Sequence, residues 1–237
     1  MALSSLKPMA RNFSRGFTMI ELLLVIVVIV VLAAIAYPTF IGILERAKAT
    51  KDMNNLRQIG IATQLYMNDN DGALPGSATV TWMSQLRPKY LSSWNVFHSP
   101  FDIRAASETD ATAPVSYGIN GNNIVGTSVD KIASPTVFIL FAPAQTTGPT
   151  VTFLGFGTSG APGVTVLGIG GNQATSNPDG TAAIGGTHST RTKINALFAD
   201  LHLENMPWGI VGATGVTFTN NAATADDPNG YLRWNPF

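Results

Sequence analysis

The chain has no cysteine, only three histidines, and charged residues at just 12% of its 237 positions. Without cysteine, disulfides, thiol nucleophiles and thiolate metal sites are excluded. With so few histidines, an imidazole acid–base pair has few ways to form. No Walker-type phosphate loop, G-x-S-x-G elbow or H-E-x-x-H pair occurs either. Formal charge is zero overall but uneven: residues 1–70 hold seven bases and four acids, residues 71–237 seven bases and ten acids. A mildly acidic C-terminal part is a poor match for nucleic acid, whose binding rests on Lys and Arg neutralising phosphates. These absences lead us to expect no enzyme, no resident cofactor and no nucleic-acid partner.

What the chain does have is one long apolar run. Leu22 to Tyr37 is uninterrupted, and Phe17 to Ile20 extend it on the other side of Glu21. That makes about 20 residues, the number a helix needs to cross a ~30 Å hydrocarbon core. Lipid offers the backbone no hydrogen bonds, so the run is expected to be helical despite its many Val and Ile. Glu21 is the anomaly. Unpaired in hydrocarbon, a carboxylate costs on the order of 3 kcal/mol by insertion scales. No Lys, Arg or His lies between Phe17 and Glu45. The nearest candidate partner is an α-amino group created by a cut just before Phe17, cationic at neutral pH.

A plain secretory signal is the rival reading, and Ala33-Ala34-Ile35-Ala36 imitates its small-residue cleavage site. It leaves Glu21 unexplained. Gly16-Phe17-Thr18-Met19-Ile20-Glu21 followed by an apolar helix resembles the type IV prepilin signature of pilins and type II secretion pseudopilins. The resemblance implies that a prepilin peptidase cuts between Gly16 and Phe17 and that Phe17 is N-methylated. It also implies that Glu21 pairs with the N-terminus of a neighbouring subunit during assembly, and that Pro38 bends the helix.

Residues 1–16 carry Lys7, Arg11 and Arg15 and no acid. Positive charge beside a first span holds that end in the cytoplasm and sends the bulk of the chain across. The expected organisation is a leader at 1–16, a membrane and assembly helix at 17–37, an amphipathic helix at 38–70 and a β-rich head at 71–237. In the third segment Met53, Leu56, Ile59, Ala62 and Tyr66 recur at helical spacing, with Glu45, Lys48, Lys51, Asp52 and Arg57 among them. Pro38 interrupts the bonding of this long helix and predicts a kink. A helix from Phe17 to about Met67 would be roughly 75 Å long. Asn68-Asp69-Asn70-Asp71-Gly72 resembles the start of a calcium loop, but the distal glutamate is missing and a helix stop with a turn is expected.

Asn55 to Gly60 and Tyr66 to Gly72 are similar to segments of prepilin-like proteins of planctomycete and verrucomicrobial type, with Asn68 departing from the pattern. Those proteins usually carry a cysteine where this chain has Ser99. Their tail pattern is also present: His188, then Leu197-Phe198-Ala199-Asp200 and His202, with Leu201 in place of a usual glycine. A glycine there implies positive φ, which leucine resists, so the turn geometry stands in question. His188, Asp200 and His202 form a conceivable metal or acid–base cluster, but hydrogen bonds tying the hairpin to a neighbouring loop are the preferred reading.

Thr136 to Ala142 is the best central strand, 151–156 and 164–169 read as further strands, and Ile194 to Met206 as a hairpin. Gly155 to Gly160 matches G-x-G-x-x-G only formally, since a loop follows it rather than a helix. A turn at Asp226-Asp227 followed by Tyr231, Trp234 and Phe237 predicts a C-terminus docked on the head. Asp226 and Asp227 are weak calcium candidates, by likeness to the major pseudopilins.

The expected fold is therefore α+β and pilin-like: a long N-terminal helix with an antiparallel β-rich head packed on it. The expected function is a subunit of a type IV pilus-like filament or type II secretion pseudopilus. It would be anchored in the inner membrane with its head periplasmic, with a cell-surface filament as the assembled form. The alternative is a non-polymerising, membrane-anchored module that binds a glycan or other ligand, with Trp82, Trp94, Trp208 or Trp234 as stacking surfaces.

Overall fold

In a computed structural model of the whole chain, residues 16–77, 80–102, 115–120, 124–143, 152–153, 187, 193–207, 232–233 and 236 are described. The leader up to Arg15, the 164–169 strand, Gly155 to Gly160, His188, Trp208, Asp226, Asp227 and Trp234 lie outside them. The chain divides into two compact units, Met1–Leu44 and Glu45–Phe237.

A single helix, α1, runs Met19–Asp69 with Pro38 inside it. Proline supplies no N–H, so the Ala34 carbonyl lacks its helical donor. One residue on, Thr39 Oγ1 donates to the Ile35 carbonyl at 3.0 Å. From Phe17 to Leu44 the large apolar side chains stand in the open, none with less than 47% of its surface exposed.

The helix stops where the amides and acids begin. Gly72 N–H returns to the Met67 carbonyl at 2.9 Å, and Asn70 Nδ2 takes the Tyr66 carbonyl at 2.7 Å. Asp71 at φ 52° and Gly72 at φ 77° carry the left-handed turn. This is the closure that satisfies the last carbonyls of a helix. Just before it, Lys89 Nζ and Tyr90 Oη each donate to Asp69 at 2.8 Å, which holds that carboxyl below its ordinary range. The turn expected at Asn68–Gly72 is present.

The second unit builds its head on the last third of α1. A short helix α2, Trp82–Leu86, is capped by Thr81, and a 3-10 turn follows at Trp94–Phe97. Strands β1 (Tyr117–Asn120), β2 (Ile139–Pro143), β3 (Thr152–Phe153), β4 (Lys193–Phe198) and β5 (Leu203–Pro207) form one sheet in the order β3-β1-β2-β4-β5. The run β1-β2-β4-β5 is antiparallel, while β3 lies parallel to β1 at one edge. The central strand is β2, as the apolar run predicts, but it starts at Ile139 rather than Thr136. Val137 and Phe138 N–H both go to the Ser134 carbonyl, which spends those residues on a turn. At the C-terminus, Ile139 N–H takes the Arg233 carbonyl at 2.9 Å and Ala133 N–H the Pro236 carbonyl at 2.8 Å. The tail is docked.

The β4–β5 hairpin turns through Asp200 and Leu201, and Leu201 adopts φ 69°. Leucine therefore keeps the backbone that a glycine would occupy without strain, at roughly 1–2 kcal/mol. What holds it there is the turn bond from Leu201 N–H to Phe198 O at 2.9 Å and contact of its side chain with the core. A β-branched residue has a worse clash in this region. Leu201→Val is expected to lower head stability by about 1–2 kcal/mol, and Leu201→Asn, which tolerates the conformation, by less. Thermal unfolding of both variants compares the two; equal losses would remove backbone strain as the cause.

The helix face that meets the head is more polar than its sequence pattern implies. Buried on α1 are Asp52, Asn55, Leu56, Ile59, Gly60, Ala62, Thr63 and Met67. Asp52, one of the charged residues interspersed with the apolar positions, is fully buried. The Asn55–Gly60 segment now has a physical meaning. Leu56 and Ile59 fill the core, Asn55 Nδ2 donates to the His98 carbonyl at 3.0 Å, and Gly60 lies beneath Leu197. A Cβ on Gly60 would sit 3.2 Å from Leu197 Cδ2, tighter than ordinary contact.

Candidate functional site

The start of α1 carries the residues singled out in the sequence. Gly16 and Phe17 precede the helix in irregular, exposed backbone, with Phe17 at 85% exposure. Nothing lies within 4 Å of the position a Gly16 Cβ would take. No other described part of the chain covers either residue.

Thr18 and Glu21 form a reciprocal cap. Thr18 N and Thr18 Oγ1 each donate to Glu21 Oε2 at 2.8 Å, and Glu21 N donates to Thr18 Oγ1 at 3.3 Å. Leu22 N–H closes the first helical turn on the Thr18 carbonyl at 3.2 Å. Thr at the cap with Glu three residues on is the capping box, which satisfies orphan N–H groups at a helix start. The carboxylate also lies where the helix dipole favours negative charge. In the uncut chain, where Phe17 N is an amide, the partner of Glu21 is therefore Thr18 and not an amine. The sequence reasoning missed this, although T-x-x-E before an apolar run is a legible signal.

At the other candidate site, Asp200 and His202 meet but remain within their own turn. His202 N–H donates to Asp200 Oδ1 at 3.1 Å, His202 Nδ1 lies 2.5 Å from the same oxygen, and its ring stacks on Phe198 at 4.2 Å. The tie to a neighbouring loop is made by backbone instead: Asp200 N–H to Pro135 O at 3.2 Å and Ala199 N–H to Phe138 O at 3.0 Å. Among the described residues no three His, Asp or Glu side chains gather around one point. A cavity of about 310 Å³ beside the turn is lined by Gln64, Met67, Asn68, Asp200 and Leu201 among others. Of the stacking candidates, Trp82 and Trp94 are core residues, 1% and 8% exposed. They offer no surface to a glycan.

A buried polar cluster, which no motif marks, lies between α1 and the sheet. Asp52 Oδ1 accepts from Ser99 Oγ at 2.5 Å and from Tyr117 Oη at 2.6 Å, and Asp52 Oδ2 accepts from Asn195 Nδ2 at 2.8 Å. Asn195 Nδ2 also reaches the Ala49 carbonyl at 3.1 Å, and Asn195 Oδ1 accepts from Asn205 Nδ2 at 2.7 Å. Burial, with the Asp52 charge beside it, pushes the Tyr117 hydroxyl well above its ordinary range. It stays a donor.

Comparison with known proteins agrees with the N-terminal geometry. The family model described as the prokaryotic N-terminal methylation motif matches residues 11–37. The type IV major pilin protein PilA of Myxococcus xanthus (strain DK1622) is 40% identical over 58 residues. That alignment spans 24% of this chain and 26% of the pilin, so the likeness covers about a quarter of each. No solved structure matches the chain. The α1 helix is long and apolar enough near the N-terminus to cross a membrane. The chain thus carries a prepilin-type N-terminal methylation motif, set at the head of a long apolar helix in an α+β, pilin-like fold.

Proposed function

We propose that the protein is a membrane-anchored filament subunit of the type IV pilin kind. It is cut by a prepilin peptidase between Gly16 and Phe17, N-methylated on Phe17, and assembled with other subunits through its N-terminal helix. The observation that carries this reading is the methylation motif over residues 11–37, leading into an apolar helix whose side chains stand exposed. Apolar surface of that extent needs lipid or other helices to cover it. The outer face of α1 beside the head adds support, since Ile61 and Leu65, four residues apart, are 56% and 46% exposed. Glu21 is the residue that would exchange its Thr18 contacts for the methylated amine of a neighbour.

The N-terminus of the native protein tests this reading directly. Cells are sheared, and the terminal peptide is mapped by mass spectrometry in the sheared and membrane fractions. N-methylated Phe17 in the sheared fraction is expected. The same terminus confined to membranes would place the subunit in a periplasmic secretion pseudopilus or leave it as a lone anchor. An intact Met1, or a cut near Ala36, would overturn the reading.

A further inference from the structure

We propose that Asp52 is an acid-sensitive latch, an ionised carboxylate buried in the head that holds the sheet on α1 and releases it on protonation. The latch joins four parts of the chain: α1 through Asp52 and the Ala49 carbonyl, the loop after the 3-10 turn through Ser99, β1 through Tyr117, and β4 through Asn195. Strand β5 adds Asn205 behind Asn195. Asp52, Tyr117 and Asn195 are fully buried, and Ser99 is 3% exposed.

Ser99, Tyr117 and Asn195 all donate to the carboxylate, and an ionised carboxylate is an acceptor only. Three of its roughly four lone-pair sites face these donors, so a proton competes with them or takes the remaining site on Oδ2. Competing on Oδ2 it would confront Asn195 Nδ2, whose hydrogens serve Asp52 and Ala49. On Oδ1 it would confront two hydroxyls that already donate. A hydrogen bond to a charged group is worth about 1.5–3 kcal/mol and one to a neutral group about 0.5–1.5, so protonation weakens every bond of the latch. Hydrogen bonds to the charged form favour it, and each donor removed therefore makes the carboxylate easier to protonate.

Among the described residues the titratable groups on the elements around Asp52 are few, and on α1 itself Glu45, about two turns earlier on the same face, is half-buried. From β1 comes Tyr117, which burial holds protonated. From the loop come His98 and Asp102, with Asp102 accepting from Ser116 Oγ at 2.7 Å and lying 4.0 Å from His98 Nε2. The nearest charged residues on α1, Lys48 and Lys51, and those on β4 and β5, Lys193 and Glu204, are exposed.

The test uses the full chain in detergent micelles, with near-ultraviolet circular dichroism and limited proteolysis followed from pH 7 to pH 3. In the wild type, head proteolysis is expected to rise about tenfold or more as the aromatic signal is lost. Ser99→Ala and Tyr117→Phe each remove one donor, and each should move that transition up by about half to one pH unit. Asp52→Asn should remove this transition, whatever its stability, and leave only the weaker acid dependence of surface pairs such as Lys89–Asp69. Asp102→Asn should keep the wild-type profile, which separates Asp52 from the other buried acid. A wild-type head unchanged or better protected in acid would overturn the proposal. So would unshifted transitions in both donor variants, and so would a transition that follows Asp102.

Discussion

Replacing Glu21 by glutamine is expected to abolish filaments while leaving the start of α1 intact. Glutamine separates two roles that alanine would remove together. In the structure, Thr18 N and Oγ1 both donate to Glu21 Oε2 at 2.8 Å. Glutamine satisfies a capping box as glutamate does, through its side-chain oxygen. What it lacks is charge. If assembly depends on neutralising the methylated amine of a neighbouring Phe17, the amide leaves that cation unpaired inside an apolar bundle, a cost of several kcal/mol per subunit. Shearing should then yield no filaments from Glu21→Gln or Glu21→Ala cells, whereas terminal mass spectrometry still finds Phe17 processed in the membrane. Normal filaments from the glutamine variant, with none from alanine, would show that the cap is what assembly needs and would sink the charge mechanism. Loss of processing in both would move Glu21 from assembly to recognition by the peptidase.

How far the fold was legible depended on whether each signal was local. The helix from the membrane run to Asn70 could be read because length, hydropathy and a cluster of turn-forming residues all act over a few positions. The hairpin of β4 and β5 and the central place of β2 were readable for the same reason. Leu201 shows where such reading stops. Sequence alone says that leucine resists positive φ, and only the packing of its side chain and the Phe198 bond show why the turn keeps φ 69° regardless. Asp52 is the sharper case. Its neighbours in the chain are charged, Lys48 and Lys51 among them, and a carboxylate there reads as solvated, although on a helical wheel it falls on the stripe of Leu56 and Ile59. Its partners lie 47, 65 and 143 residues away in Ser99, Tyr117 and Asn195, and no local pattern joins them. A buried carboxylate is revealed by its donors, and those come from the tertiary fold. The N-terminal site divides along the same line: the apolar run and Glu21 were visible, and the Thr18 cap was visible but overlooked.

The second large effect expected is at Trp82, where the filament reading and the binding-module alternative make opposite forecasts. The indole is 1% exposed, edge-on to Phe97 at 5.2 Å and to Phe141 at 4.9 Å between ring centres. It joins α2 to the 3-10 turn and to the central strand, so its loss opens a cavity where three elements meet. Truncating a large buried aromatic costs about 3–5 kcal/mol through lost transfer energy and the unfilled volume. Edge-to-face pairs add about 0.5–1.5 kcal/mol each beyond area. A domain of this size has only about 5–15 kcal/mol to lose. Trp82→Ala is therefore expected to lower the unfolding midpoint of the head by several degrees at least, with Trp82→Phe falling between it and wild type. Thermal melts followed by circular dichroism read this order. A ligand-stacking tryptophan behaves otherwise, since removing an exposed ring leaves the melt unchanged and weakens binding alone. A melt for Trp82→Ala indistinguishable from wild type would contradict the packing described here and return Trp82 to the list of recognition residues.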